Sequence, residues 1–329
     1  MIKVLQIGVG PLGRKIVKLA SRRTNLKFIG AVDLDKNLDG KDLGEISEAG
    51  KLGVKIRNDL KQAVGKKKID VAILTTVSSA KMIAWQIEEI AKLGINIVTT
   101  CEELSFPWNR HKAVAKKIDQ ICKKYNVACL ATGVNPGFLM DYLPCALTSV
   151  NFKVEKVKVL RFQNASYRRI PFQKKIGVGL TRKEFNERVK AGLIRHVGLP
   201  ESIDMIAACM SWKLSDVKET IKPVIAKQKL TNGFTDVEKG MVCGVEQIGK
   251  GLIGEKEAIR LHFRASIDEK EPLDSVEIKG VPNIKSVIQG GVNGDIATAA
   301  ITLNSLGNIL KVTPGLKTML DVPVPGCAW

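Results

Sequence analysis

The chain has 329 residues, more than usually fold around a single hydrophobic core, and this length predicts two domains. With 45% hydrophobic and 26% charged residues it has the composition of a globular protein, and no apolar run reaches the roughly 18 residues that span a bilayer. The net charge of +19 suits anionic ligands, but the lysines are dispersed and aromatic residues make up only 5%, which argues against a nucleic-acid surface.

The cysteines and histidines do not form a recognisable metal or disulfide pattern. None of the seven cysteines forms a C-x-x-C pair, and most lie in apolar runs, so we expect reduced, buried thiols. His111, His196 and His262 are too scattered to indicate a metal centre. The amino terminus lacks a secretory cleavage pattern, and we therefore expect a soluble cytoplasmic protein without a bound metal.

The first 145 residues alternate between apolar strands and amphipathic helices. The predicted strands are VLQIGV, KFIGAVD, IDVAILTT, INIVTT and NVACLA. A helix is predicted over 79–93, because isoleucines recur there at helical spacing, and another is predicted to open at Pro107. Continuous apolar strands that alternate with helices predict a doubly wound parallel α/β sheet of Rossmann type, covered on both faces.

From about residue 146 the pattern changes to that of an α+β domain with a mostly antiparallel sheet. The predicted elements are a strand at KVEKVKVLRF, helices near 181–193 and 200–213, and strands near 240–248, 256–268 and 273–280. We expect this second domain to cover 146–293. The remaining segment, 294–329, opens with an Ala- and Leu-rich helix that we expect to pack against the first domain.

The segment GVGPLGR at 8–14 contains G-x-G-x-x-G between a strand and a helix. Gly8 permits the tight turn, Gly10 lets the backbone approach a pyrophosphate, and Gly13 lets helix and strand pack closely. Backbone N–H groups at the helix start then bind the phosphates. The predicted cofactor-binding residues of this loop are Gly8, Gly10, Pro11, Leu12, Gly13 and Arg14.

Asp33 ends the second strand, where an acid accepts hydrogen bonds from ribose hydroxyls and repels a 2′-phosphate. This favours NAD as the cofactor, while nearby basic residues leave NADP open: Arg14, Arg22, Arg23 and Lys36. Thr75, Thr76 and Ser78 follow the third strand and are predicted to make a second cofactor contact. Small hydroxyl residues at such a position also serve as helix caps.

Two adjacent acids, Glu102 and Glu103, follow the fourth strand at the edge where a parallel sheet presents its ligand crevice. A carboxylate near a nicotinamide can exchange protons with a substrate, and we favour Glu102 for this chemistry. The alternative is that one acid caps the helix predicted at Pro107. Asn135 and Phe138, after the fifth strand, are expected to line the crevice near the nicotinamide.

Five segments together resemble the 2,4-diaminopentanoate dehydrogenases and the related native NAD(P)-dependent amine dehydrogenases, whose N-terminal domain is similar to dihydrodipicolinate reductase. The segments are GVGPLGR at 8–14, TTCEELSFP at 99–107, TGVNPGFLMD at 132–141, SYRRIPFQKKIGVG at 166–179 and RHVGLPESIDMIA at 195–207. The resemblance runs over nearly the whole chain and implies an oxidoreductase that acts on CH–NH2 groups.

The resemblance implies oxidative deamination of an amine, either 2,4-diaminopentanoate or a small alkyl amine, to a ketone and ammonia, together with the reverse reductive amination. It implies that Glu102 transfers protons and that the second domain supplies pocket residues and a homodimer interface. The expected substrate-binding residues are Glu103, Phe138, Tyr167, Arg168 with its neighbour Arg169, and His196. A guanidinium would bind a substrate carboxylate in a fork geometry, although these arginines could also belong to a basic surface, and His196 to a helix cap.

Two other readings compete with this one. A dihydrodipicolinate reductase-like imine or enamine reductase would be expected to carry paired histidines with a nearby lysine, and the chain has no adjacent histidines. The other alternative is a non-catalytic protein, which would either sense NAD through the glycine loop or bind nucleic acid through the basic surface. Glu102 and Glu103 argue against a nucleic-acid ligand, because their charge would repel a polyanion.

Overall fold

The computed structural model describes residues 1–168, 170–231 and 235–327. It divides into two compact units. The first unit contains Met1–Phe138 and Asn293–Trp329, and the second unit contains Leu139–Val292. Within the described ranges, no helix is both long and apolar enough to cross a membrane.

The chain forms fifteen strands and ten α-helices across its described parts. The strands are β1 Ile2–Ile7, β2 Leu26–Val32, β3 Ile56–Arg57, β4 Val71–Leu74, β5 Asn96–Thr99, β6 Ala128–Ala131, β7 Lys153–Asn164, β8 Asp216–Ile225, β9 Leu230–Thr231, β10 Asp236–Val237, β11 Val242–Ile253, β12 Lys256–Ser266, β13 Leu273–Val281, β14 Ile284–Gln289 and β15 Gly315–Lys317. The helices are α1 Pro11–Ala20, α2 Leu43–Ile46, α3 Leu60–Val64, α4 Ala80–Ala91, α5 Lys112–Lys124, α6 Tyr142–Leu147, α7 Ile170–Lys175, α8 Arg182–Lys190, α9 Leu199–Cys209 and α10 Gly294–Ile309. Short 3₁₀ turns occur at Lys36–Leu38, Glu102–Leu104 and Thr148–Val150.

The first unit is built on a seven-stranded sheet in the order β15-β6-β5-β4-β1-β2-β3. Every pairing in this sheet is parallel. Strands β4 and β6 are buried along their whole length, because helices cover both faces of the sheet. The predicted doubly wound parallel fold is therefore confirmed.

Helix α5 begins later than its sequence pattern suggested. The predicted opening at Pro107 is wrong, since the helix starts at Lys112 and the residues before it form turns. The apolar stripe of the helix starts only at Val114, and Trp108, which precedes it, packs against the core of the first unit from a turn. Pro107 instead accepts a hydrogen bond from the His111 N–H at 2.9 Å.

The carboxy-terminal segment belongs to the first unit. Helix α10 packs against α1, and just beyond the end of α1 the Arg23 guanidinium donates to the Asn304 side chain at 2.7 Å. Strand β15 then extends the sheet by pairing with β6. Asn293 caps α10 by accepting from the N–H groups of Asp295 and Ile296.

The second unit contains a six-stranded sheet in the order β14-β13-β7-β12-β11-β8 and a two-stranded ribbon of β9 and β10. Only the β7–β12 pairing is parallel, and the other pairings of the large sheet are antiparallel. Helix α9 packs against β11 and β12, and its buried face closes the core of this unit. The predicted α+β character, with a mostly antiparallel sheet, is confirmed.

Candidate active site

The glycine loop has the shape that dinucleotide binding requires. Gly8 has a φ of +87°, and a Cβ there would lie 2.7 Å from the backbone oxygen of Thr75. A Cβ on Gly13 would lie 2.1 Å from the backbone oxygen of Gly8, so both positions need glycine. A Cβ on Gly10 would meet no atom within 4 Å, which leaves open space before the start of α1. This space fits a pyrophosphate at a helix N-terminus.

Three further residues predicted for this loop lie within α1. Pro11 and Leu12 form its first turn, where proline is favourable because its missing N–H has no intrahelical partner there. Arg14 donates from Nε to the backbone oxygen of Val9 at 2.8 Å. Its guanidinium therefore braces the loop from the helix side.

Asp33 joins the end of β2 to the glycine loop. Its Oδ2 accepts from the Val9 N–H at 2.6 Å, and its Oδ1 accepts from the Asp35 N–H at 2.9 Å. Asn58 donates to the Asp33 backbone oxygen at 2.6 Å. The half-buried carboxylate is thus held beside the loop, and its contact with a cofactor ribose stays a prediction.

The hydroxyl residues after β4 differ in their contacts. Thr75 donates to the backbone oxygen of Gly8 at 2.9 Å and accepts from the amide of Gln6 at 3.0 Å. Thr76 bonds the side chain of Gln86 at 2.6 Å. Ser78 accepts at its backbone oxygen from the Glu103 N–H at 3.2 Å. Thr75 therefore stabilises the glycine loop through its bond to Gly8. A cofactor contact by these three residues stays a prediction.

Gln6 also supports the glycine loop, although no role was predicted for it from the sequence. Its amide is fully buried in β1 and donates to the backbone oxygen of Gly8 at 2.8 Å. A glutamine inside the otherwise apolar run VLQIGV was the available signal, since a buried amide needs hydrogen-bond partners.

The two acids after β5 occupy different environments. Glu103 accepts from the Ala80 N–H at 2.9 Å, and its carboxylate lies 3.7 Å from Nε2 of His111. It therefore caps α4, and the expectation that one acid caps a helix opening at Pro107 is wrong. The Glu102 carboxylate is half-buried and has no hydrogen bond or ion pair with any residue in the described ranges.

Glu102 lies next to a thiol that is kept protonated. Cys101 is buried, and burial followed by the charge of Glu102 raises the pKa of this thiol well above its ordinary value. A neutral thiol beside the carboxylate neither repels it nor pairs with it. Glu102 thus lies beside an uncharged neighbour at the carboxyl edge of the sheet, and its role in proton transfer stays a prediction.

The loop after β6 is tightly wound at this same edge. Gly137 has a φ of +123°, and a Cβ there would lie 2.5 Å from the backbone nitrogen of Gly133. The Val134 N–H donates to the Thr298 hydroxyl at 3.3 Å, which ties the loop to α10. Asn135 and Phe138 are half-buried in this loop, and their positions beside a nicotinamide stay a prediction.

The candidates in the segment before α7 lie in the second unit. Tyr167 is 91% exposed. Arg168 places its guanidinium carbon 4.1 Å from the ring centroid of Phe172, a cation–π contact that fixes the plane of the guanidinium. Arg169 lies outside the described residues.

His196 is held rigidly in the second unit. The backbone N–H of His196 donates to Gln247 Oε1 at 2.7 Å, and Gln247 Nε2 donates to the His196 backbone oxygen at 3.0 Å. The imidazole stacks on Phe263 with ring centroids 4.4 Å apart. Burial, followed by the positive charges of Lys175 and Arg161, lowers the pKa of His196 to about 3. The imidazole is therefore neutral at physiological pH.

A buried ion pair that was not predicted from the sequence lies near His196. Arg161 on β7 and Asp274 on β13 are opposite each other in register, and Nη1 lies 2.7 Å from Oδ1. Both also bind the backbone of Val292, the last residue of the second unit. Arg161 lies on the same buried face of β7 as Val157 and Val159. A charged residue in that alternating pattern could have indicated a buried ion pair from the sequence.

The fold and the site geometry define a class: two-domain proteins whose first unit is a Rossmann-type α/β sheet with a glycine loop. Residues 138–329 match the model of the 2,4-diaminopentanoate dehydrogenase C-terminal domain, and residues 2–128 match that of the dihydrodipicolinate reductase N-terminus. The 2,4-diaminopentanoate dehydrogenase of Acetoanaerobium sticklandii is 30% identical over 98% of this chain and 94% of that protein. The chain belongs to the 2,4-diaminopentanoate dehydrogenase family.

Solved structures agree with the fold. The amine dehydrogenase from Mycobacterium smegmatis has a TM-score of 0.86 at 20% identity, covering 99% of this chain and 97% of that one. A mutant meso-dapdh with DAP from Clostridium tetani has a TM-score of 0.53 at 17% identity, covering 98% and 95%. At these identities the likeness concerns the fold.

Proposed function

We propose that the protein interconverts an amine and a ketone, releasing ammonia in the oxidative direction and consuming it in the reductive one. As a member of its family, the chain is an NAD(P)-dependent oxidoreductase that acts on CH–NH2 groups. The substrate is 2,4-diaminopentanoate or a small alkyl amine. The observation that carries the proposal is the difference between the acids, since Glu103 is engaged as a helix cap and Glu102 is free to move protons.

The cofactor is NAD rather than NADP in this proposal. Gly8, Gly10 and Gly13 would hold its pyrophosphate, and Asp33 would accept hydrogen bonds from its ribose. When bound, the nicotinamide accepts a hydride from the amine carbon or returns one to an iminium carbon. The charge of Asp33 opposes a 2′-phosphate, and this supports NAD.

Glu102 supplies the proton transfers. In the oxidative direction its carboxylate takes a proton from the water that attacks the iminium carbon of the substrate. It then returns that proton to the nitrogen and, as the C–N bond breaks, takes the proton of the carbinolamine hydroxyl, so that ketone and ammonia leave. In the reductive direction it takes a proton from ammonium, which frees the nitrogen lone pair for attack on the ketone. Such a group contributes roughly 10²–10⁴-fold to a rate.

The second unit supplies the substrate contacts in this proposal. The neutral imidazole of His196 can donate one hydrogen bond and accept another without repelling a protonated amine. Arg168, with its plane fixed by Phe172, would bind a substrate carboxylate through paired N–H groups. Tyr167 completes the contacts proposed for this unit, and Glu103 of the first unit is a further, minor substrate contact beside its role as a helix cap. We also infer a cytoplasmic homodimer, for which the free state of all seven cysteines and the family resemblance are the support.

The first prediction tests the reaction class. NADH is expected to be oxidised in the presence of 2-amino-4-oxopentanoate and ammonium, because reductive amination needs both. Absorbance of the reduced cofactor is followed with and without ammonium, and with short ketones that lack the carboxylate. Oxidation that proceeds equally well without ammonium, or that fails with every ketone, would contradict the proposal. The preferred ketone then shows whether the carboxylate is recognised.

The second prediction tests the role of Asp33. Asp33→Asn is expected to weaken NADH binding by roughly 10–100-fold, because a charge-assisted hydrogen bond contributes about 1.5–3 kcal/mol, and to improve relative affinity for NADPH. Affinities are measured by titrating cofactor fluorescence. Asp35→Asn is the matched control, since Asp35 caps the neighbouring 3₁₀ turn through the Asn37 N–H at 2.9 Å. Equal effects of the two substitutions would contradict a ribose contact by Asp33.

A further inference from the structure

The turn that carries Glu102 ends in a second polar side chain that the proposed reaction does not use. Ser105 directly follows the 3₁₀ turn Glu102–Leu104 and is only 1% exposed. Its hydroxyl oxygen is buried and has no hydrogen-bond partner among the described residues. A buried hydroxyl is normally paired, because otherwise it loses its hydrogen bonds to water without replacement. A partner for Ser105 is therefore to be sought close by.

The turn geometry places Ser105 on the same side as Glu102. The Ser105 N–H donates to the backbone oxygen of Glu102 at 3.1 Å, which closes the 3₁₀ turn. Such a turn has three residues per turn, so the side chains at positions i and i+3 eclipse each other. The Glu102 carboxylate likewise has no partner in the described ranges. An unpaired hydroxyl donor and an unpaired carboxylate acceptor thus lie on one side of the same turn.

The backbone on both sides of Glu102 is fixed. Before it, the Cys101 N–H donates to the Thr99 hydroxyl at 3.2 Å. After it, the Glu103 carboxylate accepts from the Ala80 N–H at 2.9 Å. The half-buried side chain of Glu102 can therefore change its torsion angles while the turn itself stays in place.

We propose that Ser105 is a positioning residue whose hydroxyl donates a hydrogen bond to the Glu102 carboxylate and holds it for proton transfer. This inference rests on the proposed function, because it concerns the same carboxylate. The bond satisfies both unpaired groups through rotation of side chains alone. It also favours the charged form of the carboxylate, which is the form that takes a proton from water.

The other titratable groups beside the turn do not serve as partners of Glu102. Glu103 and His111 lie 3.7 Å from each other, and Lys81 is exposed in the first turn of α4, which packs against this turn. None of them is bonded to the Glu102 carboxylate in the described part of the chain. The Ser105 hydroxyl is the buried donor that the turn itself provides.

The thiol next to Glu102 is not its partner either. Cys101 is buried, and no hydrogen bond joins it to the Glu102 carboxylate within the described ranges. It is one of five cysteines that are buried as expected, whereas the expectation is wrong for Cys209 and Cys327, which are exposed.

A second hydroxyl of the first unit provides a matched control. Ser47 follows α2, is 2% exposed, and its hydroxyl also has no partner among the described residues. The residue three positions before it is Gly44, so the place that Glu102 takes relative to Ser105 holds no side chain there. Ser47→Ala therefore measures what the loss of a buried, unpaired hydroxyl does by itself.

The first test is the pH profile of kcat for oxidation of 2,4-diaminopentanoate with NAD. Ser105→Ala is expected to lower kcat by roughly 10–100-fold, the effect of losing one hydrogen bond to a charged group. Its acidic limb should move upward by about one pH unit, because the carboxylate loses a bond that favours its charged form. Ser47→Ala should leave kcat and the limb unchanged. An acidic limb that stays at its wild-type position in Ser105→Ala overturns the proposal, whatever happens to kcat.

The double variant Glu102→Gln with Ser105→Ala shows whether Ser105 acts through Glu102. The loss of kcat caused by Ser105→Ala should disappear in the Glu102→Gln protein, because the carboxylate that Ser105 positions is then absent. Two losses that multiply would mean that Ser105 acts independently of Glu102, and would overturn the proposal.

Unfolding in urea tests the hydrogen bond without any turnover. Ser47→Ala is expected to raise the unfolding midpoint, because it removes an unpaired buried hydroxyl, whereas Ser105→Ala should not raise it, because it removes a paired one. An equal rise in both variants would mean that the Ser105 hydroxyl has no partner, and would overturn the proposal. A wild-type protein that oxidises no amine would instead contradict the proposed function, and this comparison of midpoints would still hold.

Discussion

Glu102→Gln is expected to lower kcat/KM for amine oxidation by roughly 10²–10⁴-fold, the contribution of a general acid–base group. Glutamine keeps the size and hydrogen-bonding shape of the side chain but cannot take a proton from water or ammonium. The Glu102 carboxylate has no partner in the described parts of the protein, so its loss should not unfold the site. Rates are measured in both directions, and cofactor affinity is expected to stay within about threefold.

Glu103→Gln is the matched control, because it changes the adjacent acid in the same way. Glutamine at this position keeps an oxygen that can accept from the Ala80 N–H at the start of α4 but removes the charge, so the free energy of unfolding should fall by only about 0.3–1 kcal/mol. Turnover should fall by less than about tenfold, a small effect beside that of a lost general base. A severe loss of turnover in Glu103→Gln with little effect in Glu102→Gln would reverse the assignment of the two acids.

The second large effect is expected at the buried ion pair of the second unit. Arg161→Met should lower the free energy of unfolding of this unit by about 3–5 kcal/mol, because Asp274 would keep a buried charge without its partner. Burial already raises the pKa of Asp274, and Arg161 opposes that rise. Unfolding is followed in urea, and adding Asp274→Leu to Arg161→Met should recover much of the loss, since both charges are then gone.

The same two strands offer a control on the opposite face. Lys158 and Glu277 are opposite each other in register, 3.0 Å apart, and each side chain is about one-third exposed. Lys158→Met should change the free energy of unfolding by only about 0–1 kcal/mol, because solvent screens such a pair. Equal destabilisation by Arg161→Met and Lys158→Met would contradict the role assigned to the buried pair.

The sequence predicted the interior of both sheets and missed their edges. Strands such as β4 and β6 are wholly buried and therefore appear as continuous apolar runs. The unpredicted strands β8 and β14 are the two edges of the six-stranded sheet, and their residues are exposed or only half-buried. Without a fully buried face, such a strand has a weak hydrophobic pattern, and only its long-range pairing determines it.

The candidate site was predictable where its chemistry is local. The glycine loop and Asp33 follow from residues adjacent in sequence to the strands that position them. The capping of α4 by Glu103 could not be predicted from sequence, because it depends on the Ala80 N–H, which lies on another helix. Arg161 and Asp274 likewise meet only when β7 pairs with β13.

Oxidative deamination of an amine substrate by this protein is tested most directly by the stoichiometry of its products. The purified protein is supplied with 2,4-diaminopentanoate and NAD, and NADH, ammonia and ketone are each quantified over the same time course. The three products are expected to appear in equal amounts, and Glu102→Gln is expected to suppress all of them together. NADH formed without ammonia, or ammonia released without NADH, would contradict it.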